Sequence, residues 1–298
     1  MRRLSWHFLL LLYAYPTCSL LRTPTNVLVR SNTPGYCSRS ACKLSLFGSG
    51  SSAPKIPAST TERDNQAINS VKAAIASPKS SLPLIECEFP PLQALNKLGD
   101  GSLRSAIEAE KANLAFATKL IQSISPIPFI GPNTWLLTSE SSSNAFFTAA
   151  KKAKAGSTNV HPLKQGLPNV GKGDICIFVT PSSRSDYMAA QKIASSGVAG
   201  AVVIINGFAK DQKSVPAEAT MGYFLKPLTY NSQVVGYLTR CYPSKWAVVD
   251  IISKEVLGSF DDSEILVRGT NTPDLRQSGK LVQKSVDDRA IRARNGLQ

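Results

Sequence analysis

Acidic residues are missing from the first sixty positions of this chain, which hold seven Lys and Arg. Other absences narrow the reading further. The N-terminal apolar run, Phe8 to Tyr15, is eight residues long, and a bilayer span takes about 20, so it is too short to be an anchor. No Asn-x-Ser/Thr acceptor occurs in the chain, which speaks against a glycosylated secreted product. Beyond the first sixty residues only Cys87, Cys176 and Cys241 remain, an odd and widely spaced set that builds no disulfide framework. The same stretch has one histidine, His161, and no Gly-x-Ser-x-Gly elbow, so a serine-hydrolase triad has little to be built from. One His and three Cys, scattered singly along the chain, do not make a recognisable zinc set.

What is present at the front reads as a two-part address. Arg2 and Arg3 precede the apolar run, and Thr17-Cys18-Ser19 supplies the small side chains of a cleavage site, so residues 1–19 are expected to be a signal peptide. Residues 20–61 are rich in Ser, Thr, Pro, Arg and Lys, the composition of a transit peptide or linker. A signal peptide followed by a transit peptide fits a plastid of secondary origin, with the mature protein in the stroma. An aromatic residue often follows the first cleavage site in such leaders; here Leu20 or Leu21 stands there. The competing reading is a secreted protein with a disordered N-terminal linker.

Without the leader, 27 basic residues face 20 acidic ones. No Lys/Arg block is interleaved with aromatics, so a nucleic-acid partner is not expected. A moderately basic surface suits anionic lipid or an acidic protein equally. Residues 64–270 read as one domain with a core of its own. Asp64 is placed to cap a helix carrying Ile68, Val71 and Ile75 on one face, ended by Pro78. Leu84–Phe89 reads as a strand stopped by Pro90-Pro91, and 102–124 as a long amphipathic helix with Ser105 and Glu108 in capping-box spacing. Strands at 134–138, 174–180 and 199–206 alternate with helices at 144–155 and 184–196. Runs at 233–240, 246–253 and 256–260 have connections too short for crossovers, so they pair antiparallel. The expected architecture is α/β: a Rossmann-like, mostly parallel sheet with flanking helices, finished by a C-terminal antiparallel β-meander. Residues 271–298 are polar and of mixed charge, and read as a flexible tail, or as a helix formed only on a partner.

The candidate motifs are thin. Gly166 to Gly173 resembles a phosphate loop, but Gly173 follows Lys172 where Ser or Thr is needed, and the loop precedes a strand instead of opening a helix. Glu86 and Glu88 share a strand face, but period-two alternation simply turns both acids outward. Cys87 and Cys176 lie among apolar residues as small buried hydrophobes; Cys241, near a turn and beside Arg240, is the more reactive candidate. His161 reads as a loop residue without a ligand role. Ligands in open α/β sheets gather at strand carboxyl ends, which makes Thr180 to Ser183 and Asn206-Gly207 the lining of any small-molecule pocket. The alternative for Asn206-Gly207 is a plain turn.

Three segments in order carry a family resemblance: Pro83-Leu-Ile-Glu-Cys-Glu-Phe-Pro-Pro-Leu92 with Gly101 and Glu108-Ala-Glu-Lys-Ala-Asn113; Asp174 to Pro181 with Val202-Val-Ile-Ile-Asn206; and Val235-Gly-Tyr-Leu-Thr-Arg-Cys-Tyr-Pro-Ser-Lys-Trp246. Over about residues 64–270 the chain resembles a plastid and cyanobacterial domain of unknown function. That domain occurs in assembly factors of the low-photosystem-II-accumulation type and is appended to some plastid adenylate kinases. Gly207 stands where the family often has Pro, residues 209–230 do not align, and no kinase part is present, so kinase activity does not transfer. The resemblance implies a non-catalytic stromal factor for photosystem II assembly or repair, acting on photosystem subunits or other assembly factors, with possible peripheral thylakoid contact and no cofactor. Arg240, Tyr242, Pro243 and Trp246 are then the expected partner contacts, with Trp246 equally placed to be a core residue. A nucleotide- or metabolite-binding enzyme built on Thr180 and Asn206 is the alternative.

Overall fold

Buried strands and amphipathic helices alternate along the chain, and the sheet they build is continuous from edge to edge. The computed structural model describes residues 54–90, 106–125, 131–153, 158–207 and 214–296. All belong to one compact unit, Ser49–Gln298. The expected leader lies outside the described residues except for 54–61, as do Pro91 and the Ser105 cap. The elements are α1 (Thr60–Ala76), β1 (Leu84–Glu88), α2 (Ala106–Ile124), β2 (Thr134–Thr138), α3 (Asn144–Ala153), β3 (Thr158–Pro162), β4 (Ile175–Val179), α4 (Arg184–Ser195), β5 (Ala201–Ile205), β6 (Thr220–Tyr230), β7 (Gln233–Cys241), β8 (Trp246–Asp250), β9 (Val256–Phe260), α5 (Asp262–Val267) and α6 (Leu275–Arg294). No helix among the described residues is long and apolar enough to cross a membrane.

The nine strands run in the order β3-β2-β4-β5-β1-β6-β7-β8-β9. From β3 to β6 every pairing is parallel, and from β6 to β9 every pairing is antiparallel. This is the expected Rossmann-like half finished by a meander. The runs Ile-Cys-Ile-Phe-Val of β4 and Ala-Val-Val-Ile-Ile of β5 are buried throughout, as parallel strands covered on both faces must be. Connections from β1 and β2 cross on the face covered by α2 and α3, while those from β3, β4 and β5 return on the α4 face. A single crossover hand requires this exchange of faces.

Several expectations change. Ser59, not Asp64, caps α1, its side chain accepting from the Glu62 N–H at 3.1 Å. Asp64 is buried between Arg63 and Lys119, whose Nζ is 2.7 Å away. Residues 220–230, unaligned in the sequence, form the longest strand, β6. His161 sits on edge strand β3, not in a loop.

The largest correction concerns the C-terminus. Residues 275–294 form helix α6, which crosses β6, β7, β8 and β9. Two glycines make its seat. A Cβ on Gly236 would lie 2.5 Å from Val282 Cγ1 and 2.7 Å from the Val249 carbonyl, and one on Gly258 would lie 2.7 Å from Leu281 Cδ1. Farther along, the wholly buried Asp250 accepts from Ser285 at 2.9 Å and from the Arg289 guanidinium. A flexible tail has no such matched groove.

Candidate functional site

The strand ends come first, because topology places ligand sites there. Connections from neighbouring strands leave toward opposite faces between β5 and β1 and between β2 and β4, and these two switch points are the ones the polar side chains surround. At the first, Asn206 adopts a positive φ of 46° and Thr180, following β4, one of 54°. The structure brings these two residues together through a third, Asn113, which closes the helix segment quoted in the family resemblance and had no assigned role there. Asn113 of α2 donates from Nδ2 to Thr180 Oγ1 at 2.9 Å and accepts at Oδ1 from Asn206 Nδ2 at 2.7 Å. Asn206 Oδ1 accepts from the Phe89 N–H at 2.8 Å. The amide pair therefore stitches the ends of β1, β4 and β5 together, and Asn113 and Thr180 are both buried. Gly207 is required here: a Cβ would lie 2.1 Å from the hydroxyl of Tyr187, a buried residue of α4.

At the second switch point the N-terminus of α4 faces Ser139 and Glu140. Its amides would suit an anion, but the chain supplies its own. The Asp186 carboxylate accepts from Ser139 Oγ at 2.6 Å and from the N–H groups of Ser182, Ser183 and Glu140 at 2.9, 3.1 and 3.0 Å. Burial by itself pushes this carboxyl up; the four donors outweigh it and hold it below the usual range. The Gly-rich loop before β4 is filled the same way, with Gly171 N–H and Trp135 Nε1 donating to Asp174 at 2.8 and 2.9 Å. No helix follows that loop.

The second concentration of polar groups lies on a sheet face. Beneath α1, α2 and α3 one apolar cluster runs without interruption from β2 to β7. The opposite face carries two separate clusters, one under α4 and one under α6. Charged residues mark the seam between them, along β1, β6 and β7. Glu86 is 3 % exposed, not turned outward, and accepts from Asn271 Nδ2. Arg240 is 2 % exposed and forms a two-pronged bond to Asp262 at 2.8 and 2.6 Å, with Trp246 Nε1 donating to the same carboxylate at 3.2 Å. Burial lowers the pKa of Lys79 beside them, with Asp262, Arg240, Glu218 and Glu86 all within electrostatic reach.

This geometry redraws the expected partner surface. Trp246 is wholly buried, its ring 5.1 Å from that of Phe224, so it takes the core role. Arg240 is buried between the Tyr242 and Trp246 rings, 5.4 and 5.5 Å from their centroids. Neither reaches a partner from there. Tyr242 is half-buried, its hydroxyl donating to the Ser77 carbonyl at 2.7 Å, and Pro243 is exposed beside it. Nor is Cys241 an activated thiol: burial pushes it up to about 11, against the pull of Ser70 and Arg240. Burial likewise raises Cys176 to about 12 and Cys87 further still. His161 Nε2 lies 2.8 Å from the Gly166 carbonyl. Among the described residues no group of three or more His, Cys, Asp or Glu side chains is placed to hold a metal.

A family model described as a domain of unknown function, DUF1995, matches residues 57–262, more than half the chain. The chain belongs to the DUF1995 family. The DUF1995 segment takes in the whole sheet and ends on Asp262, so the Arg240–Asp262 pair is its last internal tie, and α6 lies beyond it. No curated protein and no solved structure matches the chain.

Proposed function

We propose that this DUF1995 protein works by docking in the stroma of a secondary plastid, as a non-catalytic factor for the assembly or repair of photosystem II. The mutual bonding of the strand-end side chains among the described residues is the observation that carries the docking part. Where an α/β enzyme opens its pocket, Asn113, Asn206 and Thr180 bond to one another, and Asp186 saturates the neighbouring helix N-terminus. The acid-free leader supports the compartment, and the resemblance to low-photosystem-II-accumulation factors supports the client. Tyr242 and Pro243 remain at the surface as contacts; Arg240 and Trp246 support them from beneath.

Two measurements test this reading. A fluorescent reporter fused to residues 1–61 is expected in the plastid, and a secreted reporter overturns the compartment. Affinity capture of the full chain from solubilised thylakoids is expected to recover photosystem II subunits, with Tyr242→Ala reducing recovery several-fold. Capture of no photosystem component by the intact protein overturns the client.

A further inference from the structure

The outer side of α6 carries cations that nothing in the fold uses. Its inner side is fixed by Ser278 and Val282, both wholly buried. At about 100° per residue, Arg276, Lys280, Lys284, Ile291 and Arg294 fall on the opposite side, and all five are exposed. The stripe is roughly 27 Å long at ~1.5 Å per residue. Arg276, Lys280 and Lys284 stand at successive i, i+4 positions, where like charges repel and weaken a helix. None of these cations pairs with a carboxylate among the described residues. Asp287 interrupts the stripe and takes a hydrogen bond from Tyr230 at 3.4 Å.

Aliphatic side chains border the cations. Val267 at the end of α5 is 89 % exposed, Leu266 45 %, Leu275 42 % and Ile291 55 %. Arg268 Nη1 donates to Gln277 Oε1 at 3.1 Å, so the end of α5 and the first turn of α6 form one corner. We propose that this corner and the outer stripe of α6 dock on an anionic lipid surface. Headgroup phosphates match the unpaired cations, and the protruding aliphatics enter the interface beside them. Lipid is favoured over nucleic acid because α6 has no aromatic side chain on which bases could stack. The inference is independent of the plastid role, since purified protein and vesicles suffice to test it.

The experiment is co-sedimentation of the purified full chain with vesicles of phosphatidylcholine alone and of phosphatidylcholine with phosphatidylglycerol. Binding is expected only to the anionic vesicles and is expected to fade with salt. Each cation removed should weaken partitioning about fivefold, so the combined Arg276→Gln, Lys280→Gln and Lys284→Gln variant should lose on the order of a hundredfold. Val267→Ser should weaken it further with no loss of fold by circular dichroism. Equal binding to both vesicle types, or no binding to either, overturns the proposal. So does full binding by the triple variant, which would place the contact in the basic leader. Retention of single-stranded RNA with no retention of vesicles would replace lipid by nucleic acid.

Discussion

The two faces of the sheet are built on different principles. Under α1, α2 and α3 one unbroken apolar cluster runs from β2 to β7, with Phe89 and Phe116 edge-to-face at 4.9 Å, and the buried Arg63–Asp64 pair lies beside it, against the Phe89 ring. On the opposite face the apolar packing breaks in two, and buried charges join the halves. Apolar contact is non-directional and supplies most of the free energy of burial. A desolvated ion pair adds little net stability against an apolar replacement, yet is costly to break. The first face therefore holds the fold together, while the second fixes which segments meet: Asp262 on Arg240, and Asn271 on Glu86. Both ties fasten the chain just ahead of α6.

This contrast can be broken in order of expected effect. Phe116→Ala on the apolar face should cost about 3–5 kcal/mol, read from urea unfolding. Asp262→Ala should cost about 3 kcal/mol, since it strands a buried guanidinium. Replacing the pair together, Arg240→Met with Asp262→Leu, should restore most of that loss; if the double variant is as weak as the single one, the seam is ordinary glue. Gly236→Ala should cost about 2 kcal/mol by overpacking against Val282 and the backbone of Val249. Gly258→Ala should cost about 1 kcal/mol, because only the flexible end of Leu281 must yield, and pairing it with Leu281→Ala should remove the clash. The smallest effect is on acid stability. Asp186 and Asp250 titrate below the usual carboxylate range when folded. Their contribution is therefore complete above about pH 4, the unfolded value, and is lost as pH falls through the lower folded values. Asp186→Asn should flatten the acid side of the stability curve and leave its neutral side with the same slope.

The sequence made some of this legible. The runs at 175–179 and 201–205 declare buried parallel strands by continuous apolarity, and the short connections after Cys241 and Asp250 declare a meander. Strand β6 was hidden by Gly222, by Pro227 and by a register shift beside Glu86. Pro227 is tolerated because β1 pairs with β6 only as far as Phe224, so the missing N–H points away from any ladder. Helix α6 escaped because its seated side is half polar: Ser278, Ser285 and Arg289 beside Leu281, Val282 and Val286. The burial of Arg240, and the choice of the core role over the surface one for Trp246, are invisible for another reason. Local alternation gives no warning that a carboxylate from beyond the meander closes over them. Glu86 and Asn271 are 185 residues apart, and no local pattern reports such a meeting. Topology alone puts Thr180 and Asn206 at strand ends; that Asn113, 67 residues from the one and 93 from the other, bridges them is again beyond any local pattern.

The groove holding α6 has a practical consequence. Its floor, Gly236 and Gly258, belongs to the matched domain, while the side chains that fill it come from beyond residue 262. A protein shortened to the domain boundary would present Met221, Phe224, Leu238 and Val248 with part of their covering gone. Such a fragment is expected to self-associate on purification, and supplying the missing helix as a separate peptide should return it to a single species.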